Sequence, residues 1–364
     1  MKIVLAGGGT AGHIEPALAV ARAWRANHPN DQIEFIGTNS GLENQLIPAA
    51  GFKLSHIPKV IIPRKISLSI FVAPTSLTRA FLETRSVLKG ADLLIGFGGY
   101  VSAPAYLAAR SLNLPFVIHE ANAKPGLANR LGALFTKYLA VAQPVHTGKL
   151  SKALITGLPL RADVAKALQA SSNDWNSARI SAKEKLGLNP KAPVIAIFFG
   201  SQGSVALNKV IAQALPTLNA TGAQILHAVG KANALPNAAA GYKPSPYFED
   251  MANIYLAADL VIARSGAVTC SEVNALGRYA LFIPLPIGNG EQKVNARQIV
   301  EQARGEIRDQ KEFTPEWIAE HLDRLLASAA STGAQGSQSD IHATEKIVEL
   351  MESALQSAWH GGKK

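Results

Sequence analysis

The chain alternates between two hydrophobic rhythms. Short apolar runs such as Lys2-Ile3-Val4-Leu5 and Val194-Ile195-Ala196-Ile197-Phe198 read as strands, and alanine-rich segments with helical spacing follow them. This alternation predicts parallel sheets with covering helices. In the first half it predicts strands near 2–6, 32–36, 92–96, 115–119 and 138–141, and helices near 13–27, 40–50, 76–88, 102–111 and 126–135. In the second half the strands fall near 193–199, 224–228, 259–262 and 280–283. The helices there fall near 204–215, 248–256, 269–277 and 291–303. A boundary is expected at Gly157-Leu158-Pro159-Leu160, with mixed-charge helical sequence after it to about 188. Residues 327–340 read as a loose linker, 341–359 as a last helix, and the Gly361-Gly362-Lys363-Lys364 tail as frayed.

Two glycine-rich turns punctuate the pattern. Ala6-Gly7-Gly8-Gly9-Thr10-Ala11-Gly12-His13 follows the first apolar run, and Phe199-Gly200-Ser201-Gln202-Gly203-Ser204 follows the run at 194–198. Strand, glycine-rich turn and helix begin a nucleotide-type α/β unit. Two such beginnings predict two Rossmann-like domains facing across a cleft, at 1–160 and 161–340. The helix 341–359 is a candidate to pack back on the first.

Composition changes the picture in three ways. The 364 residues are enough for two cores, and 48% hydrophobic with 17% charged residues fits a soluble globular protein. The single cysteine, Cys270, excludes an internal disulfide and fits a reducing compartment. The first apolar run ends in glycines after a few residues, as expected of a strand rather than a signal peptide, and no stretch resembles a transmembrane helix. The longest uncharged candidate, 93–109, is broken by Gly96, Gly98, Gly99 and Pro104.

The charge is uneven. Residues 1–162 hold 17 Lys and Arg against 7 Asp and Glu, a net +10, and the remainder balances. Between Lys53 and Lys89 stand 7 basic residues and one acid, Glu83, among Ile61-Ile62-Pro63, Ile66, Leu68, Ile70-Phe71-Val72 and Phe81. A basic segment interleaved with aliphatic residues suits an anionic membrane surface. Nucleic acid is the weaker reading, because aliphatic side chains stack poorly on bases. An ordinary solvated basic face is the third.

The candidate chemistry lies at strand ends. Gly7, Gly9 and Gly12 satisfy G-x-G-x-x-G, but a dinucleotide site wants an acid at the end of the second strand, where Gly37-Thr38-Asn39 stands instead. His13 falls where loop becomes helix, and a helix N-terminus favours neutral imidazole, the form a general base needs. A packing histidine is the alternative. Arg264-Ser265-Gly266-Ala267-Val268-Thr269-Cys270-Ser271-Glu272 also enters a helix, whose first amides suit phosphate. Glu272, expected in the first turn, suits a ribose diol or merely complements the helix dipole. Gly288-Asn289-Gly290-Glu291-Gln292 suits sugar hydroxyls or simple capping. Asn122 follows His119-Glu120-Ala121 at a strand end. Cys270 reads as a small buried residue. No D-x-D and no metal-spaced His/Cys cluster occurs, so a diphosphate would have to be met by helix N-termini, amides and an arginine such as Arg161 or Arg264.

These motifs resemble the MurG-type family, the bacterial UDP-GlcNAc:lipid I N-acetylglucosaminyltransferases. The matching blocks are Gly8 to Ala19, Gly98-Gly99-Tyr100-Val101-Ser102, His119 to Asn122, Gly200 to Ser204, Arg264 to Ala267 and Gln292 to Asn295. The resemblance implies the glycosyltransferase B architecture and the reaction that forms lipid II for peptidoglycan. It implies that Thr10, Ala11 and Gly12 line a phosphate turn and that Asn122 and Arg161 reach the donor. Ser201 would meet the diphosphate, the Phe248 backbone uracil, Ala267 to Glu272 the α-phosphate and ribose, and Gln292 the GlcNAc hydroxyls. Gly99, Tyr100, Ser102 and Asn129 are acceptor-side candidates. Ala11 replaces the family's usual glycine, so negative φ or strain is expected there. Ala121 replaces a common glutamine, and the changed stretch Asn289-Gly290-Glu291 leaves Glu291 without an assigned role.

The resulting expectation is inverting, metal-independent transfer of GlcNAc from UDP-GlcNAc to the MurNAc 4-hydroxyl of lipid I. His13 would be the base, and no cofactor or nucleic acid would take part. The place expected is the cytoplasmic face of the membrane, peripherally, with cell-wall synthesis proteins as further partners. The rivals are a transferase acting on a soluble acceptor and a non-catalytic nucleotide-binding module.

Overall fold

The computed structural model describes residues 1–59, 73–333 and 336–361. The chain divides into two units: unit 1 is Met1–Arg161 with Asp340–Lys364, and unit 2 is Ala162–Ser339.

Unit 1 is built on β1 (Lys2–Gly7), β2 (Gln32–Gly37), β3 (Lys53–His56), β4 (Leu93–Gly98), β5 (Phe116–Glu120), β6 (Leu139–Val141) and β7 (Leu154–Ile155). Among the described residues they form one sheet in the order β3-β2-β1-β4-β5-β6-β7, every pairing parallel. The inner strands are buried on both faces, and the two-residue side-chain period divides them. Ile3, Leu5, Ile95 and Phe97 join one core, while Val4, Ala6, Leu94 and Ile118 join the other. The covering helices are α1 (Ala11–Asn27), α2 (Glu43–Ala49), α3 (Ala73–Leu88), α4 (Ser102–Ser111) and α5 (Leu127–Gly132).

Unit 2 opens with α6 (Ala162–Asn173) and α7 (Trp175–Lys185). Its strands are β8 (Val194–Phe198), β9 (Gln224–Ala228), β10 (Tyr242–Ser245), β11 (Leu260–Ala263), β12 (Tyr279–Phe282) and β13 (Gly305–Ile307), in the parallel order β10-β9-β8-β11-β12-β13. The helices among them are α8 (Val205–Ala220), α9 (Met251–Ala257), α10 (Ala267–Ala275), α11 (Glu291–Asn295), α12 (Arg297–Glu301) and α13 (Pro315–Ser331). The last helix, α14 (Ala343–Gly361), returns to unit 1. There Ile347, Val348, Met351, Ala354 and Leu355 share a core with Val20, Ala21 and Trp24 of α1.

Several expectations need correction. Residues 327–331 are not linker but the end of α13, which begins at Pro315 after Thr314 caps the Trp317 amide at 3.2 Å. The helix read at 291–303 is two short helices meeting at Ala296. The four strands not anticipated, β3, β7, β10 and β13, are the four sheet edges. An edge strand has a neighbour on one side only, and these are two to four residues long, too short to carry a pattern. Linker residues 334–335, tail residues 362–364 and the apolar-basic stretch Ile61 to Val72 lie outside the described residues.

Candidate functional site

In each sheet the strand order reverses once, beside the first strand of the unit, and that reversal is where open α/β sheets bind ligands. In unit 1 it lies between β1 and β4, so the turns after Gly7 and Gly98 are neighbours. In unit 2 it lies between β8 and β11, where Phe198 and Ala263 are register partners, so the 199–204 and 264–266 loops are neighbours.

In unit 1, Thr10 is the N-cap residue of α1 and is exposed, while Ala11 and Gly12 begin the helix. Ala11 needs no unusual backbone: among the described non-glycine residues only Asn113 and Ala303 have positive φ. His13 is the third helical residue and is partly exposed. Its Nδ1 lies 3.2 Å from the Gly8 carbonyl and 3.3 Å from Thr10 Oγ1. A carbonyl only accepts, so Nδ1 carries the proton and Nε2 is left with its lone pair. The ring lies against Gly98 and Gly99. A Cβ on Gly98 would come 3.2 Å from Nε2, and Gly99, at φ +85°, has no room for one beside the Gly8 carbonyl. Burial holds the His13 pKa below the ordinary imidazole value, against the opposing pull of Glu120, the Gly8 carbonyl and Glu43. Burial therefore favours the neutral ring, in the same direction as the helix N-terminus.

Two carboxylates organise the surroundings, and sequence patterning assigned neither a role. Glu43, the first residue of α2, is fully buried and accepts from the Gly9 amide at 3.0 Å and from the Thr38 amide and hydroxyl at 3.2 and 2.9 Å. Glu120, at the end of β5, accepts from the Asn122 amide and side chain at 2.9 and 3.0 Å, from the Gly126 amide at 3.0 Å and from Asn129 Nδ2 at 3.0 Å. Asn129 also donates to the His119 carbonyl and accepts from the Tyr106 hydroxyl at 2.7 Å. Asn129 is therefore a buried brace and not an exposed acceptor contact. Ser102 is likewise fully buried, tying the Ala6 and Gly98 carbonyls and the Gly98 amide together. Tyr100 is the exposed member, 49% accessible, with Lys59 over its ring at 4.9 Å. Asn122 is partly exposed beside Glu120, and Arg161 ends the first stretch of unit 1.

In unit 2, Ser201 is partly exposed in the loop before α8, and Ser204 caps that helix. Gly203, at φ +67°, cannot carry a Cβ because the Val229 carbonyl occupies its place. Gly266 caps α10 without a side chain. By helix geometry the amides of Ala267, Val268 and Thr269 have no acceptor within the helix, and an anion can fill that role. Arg264, expected to help meet a diphosphate, is turned inward. It is 8% accessible, and its guanidinium donates to the Ile283 and Pro284 carbonyls at 2.9 and 3.0 Å and to Gln310 at 2.7 Å. Burial lowers its pKa to about 10, and it stays charged. It also reaches Ser204 Oγ at 3.5 Å, which puts the cation behind the α8 start. Glu272 lies in the second turn of α10, not the first, so the dipole reading lapses. It is buried and accepts from the Tyr255 hydroxyl at 3.0 Å. Ser271 and Cys270 are buried too, and burial pushes the Cys270 thiol up, so it is no nucleophile. The Phe248 ring packs edge-on against Phe198. Gln292 Oε1 accepts from the Leu285 amide at 3.0 Å, which aligns its side chain. Glu291 and Asn289 cap each other's amides at 3.2 and 3.1 Å.

Among the described residues no group of three or more His, Cys, Asp and Glu is placed to hold a metal ion, and no helix is long and apolar enough to cross a membrane.

Residues 3–141 match the glycosyltransferase family 28 N-terminal domain and residues 194–352 the family 28 C-terminal domain. A Streptomyces coelicolor protein named UDP-N-acetylglucosamine–N-acetylmuramyl-(pentapeptide) pyrophosphoryl-undecaprenol N-acetylglucosamine transferase is 44% identical over 334 residues, 90% of each chain. A Corynebacterium glutamicum protein of the same name is 43% identical over 98% of this chain and 99% of its own. The crystal structure of Acinetobacter baumannii MurG superposes with a TM-score of 0.69 at 28% identity, covering 97% of this chain and 99% of that one. The chain belongs to glycosyltransferase family 28, within its UDP-N-acetylglucosamine–N-acetylmuramyl-(pentapeptide) pyrophosphoryl-undecaprenol N-acetylglucosamine transferases.

Proposed function

We propose that this protein transfers GlcNAc from UDP-GlcNAc to the MurNAc 4-hydroxyl of lipid I, forming lipid II with inversion and without a metal. The observation that carries the mechanism is the neutral His13, with Nδ1–H on the Gly8 carbonyl and Nε2 beside Gly98. The 4-hydroxyl attacks the anomeric carbon from the face opposite UDP, its proton passes to Nε2, and the electron pair of the breaking C–O bond leaves on the diphosphate. Unit 2 binds the donor. Its α8 and α10 starts and the Arg264 charge behind them offset the negative charge that builds on the leaving group. Glu272 takes the ribose and Gln292 the sugar hydroxyls, while the Phe248 backbone meets uracil. The matching motifs make Asn122 and Arg161 further donor residues and Tyr100 an acceptor contact.

The acceptor carries an undecaprenyl chain in the relatives' names, and the exposed side chains of unit 1 suit a lipid surface. On α3, Leu77 and Leu82 are 37% and 57% accessible among Arg79, Arg85 and Lys89, and Leu127, Leu134 and Phe135 are exposed near Lys124, Arg130 and Lys137. We read these exposed apolar and basic side chains as contacts with an anionic cytoplasmic membrane surface. The deciding assay gives the protein UDP-GlcNAc and a lipid I analogue in the presence of EDTA. Formation of the β-linked disaccharide supports the proposal. Loss of turnover in EDTA that Mg²⁺ or Mn²⁺ restores would overturn its metal-free part, and transfer only to soluble acceptors would overturn the substrate.

A further inference from the structure

We propose that Glu43 is a positioning residue for His13, acting through the one peptide group that lies between them. The inference rests on the reading of His13 as the base and adds what orients and charges its ring. The Gly8 carbonyl accepts from His13 Nδ1 at 3.2 Å, and the Gly9 amide of that same peptide group donates to Glu43 Oε2 at 3.0 Å. A single planar, conjugated unit therefore carries an imidazole at its oxygen end and a carboxylate at its N–H end.

Hydrogen bonds in series polarise one another where water is excluded. The carboxylate draws on the Gly9 proton, electron density moves to the Gly8 oxygen, and that oxygen becomes a stronger acceptor for Nδ1–H. Nε2 is then the more basic nitrogen of a ring held in one orientation, and the imidazolium formed on proton transfer is stabilised. A carboxylate bonded directly to a catalytic histidine acts in this way; here a peptide group is interposed.

The burial of Glu43 needs a reason of this kind. A carboxylate out of water is costly unless its oxygens are satisfied, and Glu43 is fully buried. Its Oε1 takes the Thr38 amide and hydroxyl, which pins the carboxylate, while Oε2 is spent on the loop that bears His13. Among the described residues it has no ion-pair partner, so amide and hydroxyl dipoles alone offset the charge. The other titratable groups around the loop are Glu120 at the end of β5, Tyr100, whose ring lies against Gly9, Lys59 over that ring, and Tyr106 behind Asn129. Glu120 spends its oxygens on Asn122, Gly126 and Asn129 and has no bond to the His13 loop.

The test is Glu43→Gln in the full chain, read by ¹⁵N NMR of the histidine ring and by the pH profile of kcat/KM. Removing the charge takes away an influence that favours imidazolium. The His13 titration and the acidic limb of the profile should both move to lower pH, and kcat should fall by roughly 10- to 100-fold. In a His13→Ala background the same substitution should cost nothing further. An unmoved titration, or an equal loss in the His13→Ala background, would mean that Glu43 serves only the fold. Should Glu43→Gln not fold, the wild-type protein still decides the matter. Its Gly9 amide resonance should follow the His13 titration, and a Gly9 signal indifferent to it overturns the relay. Full turnover in His13→Ala would instead sink the base assignment, whether or not Gly9 and His13 titrate together.

Discussion

Gly7 at the end of β1 and Gly98 at the end of β4 are register partners, and the register slips between Ala6 and Gly7. The slip falls where the strand order reverses, and both chains then turn without side chains in the way. His13 sits against that opening, with Nε2 beside Gly98. A Cβ on Gly98 would crowd the ring at 3.2 Å, and one on Gly7 would meet the His13 carbonyl at 3.0 Å.

His13→Ala should leave UDP affinity nearly intact and lower kcat by roughly 10²- to 10⁴-fold. A base must be neutral, so in the wild type activity rises as pH rises through the His13 pKa. Burial holds that pKa down, so the acidic limb should lie below the ordinary imidazole value of about 6.5. A pH-rate profile with its limb above that value, or a variant that keeps most of its turnover, removes His13 from the role of base.

Glu272→Gln should weaken UDP and UDP-GlcNAc alike, because the ribose is common to both. A hydrogen bond to a charged group contributes about 1.5–3 kcal/mol. Tyr255→Phe, which removes only the hydroxyl that donates to Glu272, is the milder control. Titration calorimetry that finds UDP affinity unchanged in Glu272→Gln would leave Glu272 as the buried partner of Tyr255.

Asn129→Ala should destabilise unit 1 by about 1–3 kcal/mol, since the Tyr106 hydroxyl loses its acceptor and Glu120 a donor in a buried site. Urea unfolding followed in unit 1 measures it. Activity should fall as well, because Glu120 also fixes Asn122 and Gly126. Full stability would show that water replaces the amide, and the brace would not be what holds this corner.

Replacing Leu77 and Leu82 by Ser, or Arg79 and Arg85 by Ser, should reduce co-sedimentation with anionic vesicles. Only the arginine pair should reduce its dependence on salt, since aliphatic burial is indifferent to ionic strength. Both variants should slow turnover of long-chain lipid I and spare a short soluble acceptor. Equal loss on both acceptors would place these residues in the fold or the site, and the membrane reading would fall.

The strands β1, β4, β5, β8, β11 and β12 were legible because each is an apolar run bounded by glycine, proline or polar turn residues. Their glycine turns were legible because a sharp turn beside a helix start leaves few other choices. The edge strands were not, being short and one-sided. Helix α13 was missed because its alanine- and serine-rich end reads as linker. Packing of Trp317, Ile318, Leu322 and Leu325 into the unit 2 core and the Thr314 cap hold it as helix.

By itself the sequence determined the parallel α/β class, the two nucleotide-type beginnings and the location of the candidate chemistry at strand ends. Hydrophobic period and turn chemistry act over a few neighbouring residues, so they can be read in order along the chain. Tertiary structure alone decided which polar residues are buried and what they bond to. It turned Arg264, Ser102 and Asn129 inward, moved Glu272 a turn deeper, and brought Glu43 to the Gly9 amide across 34 positions of sequence. The partner of a buried charge is selected by exclusion of water and by the fit of whole elements, and neither leaves a local trace.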